Sequence, residues 1–194
     1  MIDRARPADT PDDTALQEVE DQFVESWAAI ATLWGVNRSS GRIHAILYLA
    51  AEPLDAAAIR LRLGISHGNV STSIRDLLAW GVIRRLHRPG ERRALYEAEQ
   101  SPWAWFHRCI SERRRREVVP VLEALHAVSE IAGKSARAAQ GNERRRQVYE
   151  RIERFAGFSE EFVDLIDVFL AVGAGRMGKL LRGAAKLLPK GSRR

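Results

Sequence analysis

The chain holds one cysteine, no long apolar run and no catalytic signature, and each absence narrows what its 194 residues can do. A single cysteine, Cys109, excludes an internal disulfide framework and a cysteine-based zinc finger. No stretch reaches the ~18 apolar residues that a membrane span requires. The best candidate, residues 162–174, is short and carries Asp164 and Asp167. Residues 1–7 include Asp3, Arg4 and Arg6 and lack the apolar region of a secretory signal, so a cytoplasmic chain without membrane contact is expected. The five histidines, at positions 44, 67, 87, 107 and 126, fall on different elements without metal-ligand spacing. There is no Gly-x-Ser-x-Gly, no P-loop and no dinucleotide fingerprint, and the acid pairs Glu160/Glu161 and Asp164/Asp167 lie on a predicted helix. Enzyme activity, a metal site and a cofactor are therefore not expected.

What is present is arginine, unevenly placed. The net charge is +6, and 27 of the 31 basic residues are arginine. Residues 1–36 carry −6, residues 37–116 carry +8 and residues 117–194 carry +4. A basic middle is what a phosphate-binding surface needs, because neutralising phosphates releases counterions. It is equally what a solvated arginine-rich surface shows, so the pattern of the residues has to decide.

Residues 1–12 lack periodicity and read as a disordered tail. Residues 14–34 place Leu16, Val19, Phe23, Trp27, Ile30, Leu33 and Trp34 at steps of three and four, one face of an amphipathic helix. Ser39 or Ser40 caps a second helix with Ile43, Ile46, Leu47 and Ala50 on its face, and Glu52-Pro53 stops it. Asp55 caps a short third helix ending at Gly64, and Ser66 caps a fourth carrying Val70, Ile74, Leu77 and Leu78. The period then changes: residues 82–88 and 93–98 read as two strands around a Pro89-Gly90 turn. Ser101-Pro102 opens a longer helical region, which Pro120 should kink or divide and which weakens over 133–142. A charged helix over 144–155 and a last helix capped by Ser159 and running to about 188 complete the chain, with Glu160 and Glu161 in the last helix's first turn and Arg182 and Lys186 near its end, as the helix dipole favours. The expected architecture is mainly α with a small β-hairpin: a winged helix-turn-helix over 13–100, a helical dimerisation region over 101–189 and a basic tail over 190–194.

In a helix-turn-helix the second helix enters the major groove with its N-terminal residues leading. Here that helix spans 66–80. Its apolar side is Val70, Ile74, Leu77 and Leu78, and the opposite side is read as Gly68, Asn69, Thr72, Arg75, Asp76 and Ala79. The leading residues Ser66, His67, Gly68, Asn69, Ser71 and Thr72 are small or hydrogen-bonding, suited to close approach and to base edges or phosphates. A surface helix with no such task would favour better helix formers than Ser71-Thr72-Ser73. Arg88, Arg92 and Arg93 flank the hairpin tip, where arginine suits a narrow minor groove, although charged edge strands also guard against aggregation. A protein-binding winged helix without sequence-specific DNA binding is the alternative. It would present large apolar side chains outward on the same helix.

The run Leu63-Gly64-Ile65-Ser66-His67-Gly68-Asn69-Val70-Ser71-Thr72-Ser73-Ile74-Arg75-Asp76-Leu77, followed by Trp80-Gly81-Val82-Ile83 and Pro89-Gly90-Glu91-Arg92-Arg93, resembles the GbsR branch of the MarR-type winged helix-turn-helix regulators. The stretch Gly35-Val36-Asn37-Arg38-Ser39-Ser40-Gly41-Arg42 is similar to that branch's Gly-x-Pro-Arg-x-x-Gly-Arg pattern, with Asn37 in place of the proline, and adds Arg42 to the candidate DNA contacts. The resemblance implies a homodimeric bacterial transcription regulator, commonly a repressor, that binds double-stranded DNA and is released by a small-molecule effector.

Phe23 and Trp27 of the first helix and Phe162, Ile166, Phe169 and Leu170 of the last are the residues expected to join two copies. Five tryptophans and Tyr48 invite the idea of an aromatic cage for a quaternary ammonium, against which plain packing of Trp27, Trp34, Trp103 and Trp105 is the simpler reading. Cys109 is either a redox-responsive thiol lowered by Arg108 and Arg113 or a buried structural one. The run Arg113 to Arg116 covers all sides of a helix, so it is solvated or meets phosphate. Gly173, Gly175 and Gly178 point to close helix packing.

Overall fold

The computed structural model describes residues 11–90, 93–138 and 142–173, with 176, 178–180 and 183. Expectations on most of the N-terminal tail, on Glu91, Arg92, Gly175, Arg182 and Lys186, and on the 190–194 tail lie outside the described residues. The contacts divide the chain into two compact units, residues 1–100 and 101–194.

In the first unit, α1 (Pro11–Leu33) begins three residues earlier than the periodicity suggests, with proline at its first position, where no N–H is needed. Its predicted apolar stripe faces the core only in its middle, at the half-buried Phe23 and Trp27. Leu16, Val19, Ile30, Leu33 and Trp34 are exposed, Leu33 at 86%, and Val24 and Ala28 are the buried residues of the helix. The reason is a close crossing with α2 (Arg38–Leu49). A Cβ at Gly41 would lie 2.8 Å from the Ala31 Cβ and 3.0 Å from the Ala28 Cα, so only small residues let the two backbones meet. The N-cap of α2 is Asn37, whose side chain accepts from the Ser39 amide at 2.8 Å, rather than Ser39 or Ser40. Ile43, Ile46 and Leu47 of α2 are buried as their spacing requires.

Next come α3 (Ala56–Leu63) and α4 (His67–Ala79), capped by Asp55 and Ser66 as expected. The hairpin is shorter than its sequence pattern, β2 (Ile83–Leu86) and β3 (Leu95–Ala98), paired antiparallel with Arg85 opposite Tyr96. It is also not alone. Leu54–Asp55 forms a two-residue strand β1 on the free edge of β3, giving the order β1-β3-β2. The fold is thus mainly helical with a small three-stranded antiparallel sheet, a winged helix in which the sheet buries Val82, Ile83, Leu95 and Ala98 beside Ile59, Val70, Ile74 and Leu77. Each such aliphatic side chain contributes roughly 1.5–3 kcal/mol by leaving water.

In the second unit, α5 (Pro102–Arg113) starts at the Ser101 cap with Pro102 at its first turn. Pro120 does not break the segment. A π-helical turn, Arg114–Val118, links α5 directly to α6 (Val119–Ala138). Proline cannot donate to the carbonyl four residues back and its ring crowds that carbonyl, and a wider turn just before it relieves both problems. The 133–142 stretch is helical through Ala138. The two expected C-terminal helices are one, α7 (Glu143–Val172), capped by Asn142. Ser159 is not a cap: its hydroxyl donates to the Phe155 carbonyl at 2.8 Å inside the helix. Glu160 and Glu161 therefore lie mid-helix, not at a dipole end. Among the described residues no helix is long and apolar enough to cross a membrane.

His44 lies at 3% exposure on α2, its ring stacked between Trp27 (5.6 Å between centroids) and Tyr48 (6.5 Å). Burial lowers its pKa from 6.5 to about 4. Between those values the unfolded chain binds a proton that the folded chain refuses, so stability is full above pH 6.5 and falls as pH drops toward 4. The loss attributable to His44 between pH 7 and pH 5 is about 2 kcal/mol. Urea unfolding of the native chain and of His44→Phe at both pH values checks this. The variant should lack that part of the acid sensitivity.

Candidate nucleic-acid interface

The turn between α3 and α4 is built by local rules. Gly64 closes α3 at φ +62° and ψ 29°, a left-handed conformation that glycine adopts without a Cβ penalty. Ile65 is half-buried at the corner. The Ser66 Oγ then accepts from the Asn69 amide at 3.2 Å and starts α4.

Helix α4 has two clean sides. Val70, Ser73, Ile74 and Leu77 are buried, while His67, Gly68, Ser71, Thr72, Arg75, Asp76 and Ala79 are exposed, as is the cap Ser66. No large apolar side chain projects on the outward side. A Cβ at Gly68 would meet nothing within 4 Å, so nothing inside the unit requires a glycine there.

Asn69 corrects the expectation that it shares that outward side. At 100° per residue it stands about 90° from the centre of either side, on the rim of the helix. Its Nδ2 donates to the Ser39 Oγ of α2 at 2.9 Å, and the buried Ser73 Oγ donates to its Oδ1 at 3.5 Å, a long bond. A rim residue goes where its partner is, and Ser39 is thirty positions away, beyond the reach of any periodicity.

The arginines divide into paired and open ones. Arg42 is half-buried and meets Glu25 of α1 at 2.9 Å, and Arg38 pairs with the same carboxylate. In the wing, Arg84 pairs across the strands with Glu97, Arg88 Nη2 meets Glu52 at 2.9 Å and Arg93 Nη1 meets Asp55 at 3.0 Å. The Ala58 amide and then Arg93 hold the Asp55 carboxyl below its usual pKa. Arg88 and Arg93 remain more than half exposed, so their pairs are solvent-screened and weak. Among the described residues, Arg75 on α4 and Arg85 on β2 make no ion pair, and both are exposed. Arg85 was not among the expected DNA contacts, and strand alternation could not have found it, because it would pair Arg85 with the buried Ile83.

Residues 34–94, the segment just described, match the MarR family. Over that third of the chain, the winged helix-turn-helix is similar to the MarR family. Over 93 residues the chain is 27% identical to the Bacillus subtilis (strain 168) protein YvaV, covering 48% of this chain and 52% of that one. Over 110 residues it is 24% identical to the HTH-type transcriptional repressor GbsR of the same organism, covering 57% and 61%. The chain thus spans between half and two thirds of the relatives it matches. A crystal structure of a transcriptional regulator aligns with a TM-score of 0.52 at 21% identity, over 79% of this chain and 96% of that one, and shares the fold.

The remaining candidates of the second unit are occupied by packing. The four arginines after Ser111-Glu112 each have an acid: Arg113 meets Glu117 at 2.9 Å, Arg114 grips Asp167 with two nitrogens, and Arg115 and Arg116 share Glu112. Cys109 is buried, and burial pushes its thiol up to about 11 against the opposing pull of Arg113, which leaves it a packing residue rather than a thiolate. In the first unit Trp27 stacks on Phe23 and His44 and does not wall an open cage. Gly178 lies against the Trp103 indole, where a Cβ would approach Nε1 to 2.6 Å, a helix-on-ring contact.

Gly68 separates folding from binding. Gly68→Ala should raise stability, by up to ~1 kcal/mol, because alanine loses less backbone entropy in a helix and has room. The same methyl stands on the outward side at the front of α4 and should weaken duplex binding. Thermal unfolding beside a fluorescence titration with duplex DNA reads both signs. A gain in stability with undiminished DNA affinity would show that Gly68 faces no duplex.

Proposed function

We propose that this chain is a homodimeric, DNA-binding transcription regulator, a repressor of the GbsR branch, and not an enzyme. The observation that carries the reading is the outward side of α4, where His67, Gly68, Ser71, Thr72 and Arg75 are exposed together without a large apolar residue. That composition suits a major groove and does not suit an apolar protein groove. The MarR-family match over 34–94 and a relative named as a repressor support the same reading. Ser71 and Thr72 take the role of base readers, with Ser66 and His67 on neighbouring phosphates. Arg75, Arg85, Arg88 and Arg93 neutralise phosphate, and Arg92, outside the described residues, belongs to the same wing. Release by a small molecule is part of this reading and its chemistry is left unassigned.

Two copies would join through apolar surface that one copy leaves open. Phe162 is half exposed, as are Phe155, Phe158, Leu165 and Val168 on α7 and Val121 and Ile131 on α6. Of these, Val121, Phe155, Phe158 and Phe162 line an apolar groove of about 310 Å³ with Val118, Leu122, Leu125 and Val163. The partners first expected at such an interface are largely engaged within the chain. Phe23 and Trp27 stack on Tyr48 and His44, Phe169 packs edge-on to Phe106 at 5.6 Å, and Ile166 and Leu170 are half-buried. On α1 the open stripe is Leu16, Val19, Ile30 and Leu33. A two-fold dimer sets its recognition helices about 34 Å apart and reads a near-palindrome.

The test is selection of duplexes from a randomised pool, followed by titration of variants on the selected site. The native chain should enrich a near-palindromic sequence. Thr72→Ala should relax one base-pair position in each half-site by roughly 1–3 kcal/mol. Arg75→Ala should weaken all duplexes alike and flatten log affinity against log salt by about one unit per lost phosphate contact. Sedimentation should show a dimer at micromolar concentration, and Phe162→Glu should shift it toward monomer. A native chain that enriches no sequence would overturn the reading.

A further inference from the structure

We propose that Asn69 is a positioning residue rather than a base reader: with Ser39 it forms a polar tie between α2 and α4 that sets the angle at which the recognition helix is presented to DNA. The proposal rests on the DNA-binding reading above and names how that site is aligned.

The seat of α4 is otherwise apolar. Val70, Ile74 and Leu77 lie at 1–5% exposure, and contacts among such side chains fill space without fixing direction. A helix held only this way can rotate or slide by a fraction of a turn at small cost. The bond from Asn69 Nδ2 to Ser39 Oγ is directional, and at 2.9 Å it has a normal length. It is partly shielded from water, which strengthens it relative to a surface bond. Ser73, at 2% exposure, extends it inward from the next turn of α4. On the other side, Ser39 is held in the first turn of α2 by the Asn37 cap, and its neighbour Arg38 is paired to Glu25 of α1. The tie thus joins the leading turn of the recognition helix to the leading turn of a helix anchored on α1.

Its place along α4 gives it leverage. Asn69 precedes Thr72 by one turn and stands about 60° from it around the helix, so a rotation that breaks the tie swings Ser71 and Thr72 across the groove. Base contacts depend on that alignment, whereas phosphate contacts tolerate small shifts. Loss of the tie should therefore reduce discrimination between sequences more than it reduces affinity for DNA in general. It should do so without changing which base is preferred.

The experiment uses the full chain, a duplex it selects from a randomised pool and a random-sequence duplex as reference. Ser39→Ala and Asn69→Ala should each lower the ratio of selected-site to random-duplex affinity by about fivefold to tenfold. The double variant should be no worse than about twice either single one, because both remove the same bond. Ser39→Thr keeps the hydroxyl and should keep the ratio. Ile59→Val, a cavity in the buried core away from the tie, should lower thermal stability and leave the ratio unchanged. Fresh selection with Ser39→Ala should return the native consensus with every position weakened. A changed base preference at one position in Asn69→Ala would make Asn69 a reader and overturn the proposal. So would a Ser39→Ala ratio within twofold of native. A native chain that selects no duplex removes the DNA-binding reading itself, a result distinct from either of these.

Discussion

The seating of α4 on α2 is the constraint on which the rest of the first unit depends. The buried side of α4 has to meet Ile43, Ile46 and Leu47, and once it does, the outward side is fixed by helix geometry alone. The α1–α2 crossing is the foundation beneath it. Gly41 allows backbone approach against Ala28 and Ala31, which holds α2 by a narrow strip of small residues. That economy has a consequence for α1. Of its large apolar side chains, Phe23 and Trp27 stack on Tyr48 and His44 of α2, while Leu16, Val19, Ile30 and Leu33 remain as open apolar surface.

Local chemistry was readable in the sequence wherever the deciding atoms are close in the chain. Asp55, Ser66 and Ser101 each cap the helix that follows, because a short polar side chain there satisfies an amide three residues on. Gly64 ends α3 for an equally local reason. The misreadings occur where a distant partner decides. Two residues of β1 carry no alternation, and only pairing with β3 some forty positions later makes them a strand. Ser159 resembles a cap in sequence, yet α7 runs on through it and its hydroxyl turns to the Phe155 carbonyl. Pro120 looked like a break and became the cause of a π-turn one step earlier. Of the candidate interface, the exposed residues of α4 followed from periodicity, while the inward turn of Asn69 depended on Ser39 and the pairing of Arg42 depended on Glu25.

The second unit shows the same principle with less core. Within it only Cys109, Ala132, Ala156, Val163 and Gly178 are buried among the described residues. Most of the aliphatic and aromatic surface of α6 and α7 is half or fully open. A pair of long helices with so few buried side chains gains little from its own packing, since helix stability in proteins comes mostly from tertiary burial. Ion pairs contribute little to close that gap. Arg115 and Arg146 stand in solvent, where such pairs are screened and weak. Burial of the open apolar stripe against a second copy, as proposed above, would add stability of the size that gap needs.

Net charge hides which arginines a duplex would meet. The +8 of residues 37–116 already subtracts Glu97, Glu52 and Asp55, which pair with Arg84, Arg88 and Arg93, while Arg38 and Arg42 share Glu25 outside that range. Their fields partly cancel at distance, so a polyanion approaching from afar feels mainly the open arginines such as Arg75 and Arg85. At contact the balance changes. The exposed wing pairs are weak enough for a phosphate to replace Glu52 or Asp55 at small cost, and the displaced acids then lie beside the new anion and repel it. Affinity that depends on such exchange is reduced on any duplex that supplies phosphates alone. On the DNA-binding reading proposed above, it would be recovered only where base contacts from α4 add to them, and the acids that neutralise the wing would favour reading of sequence over binding by charge.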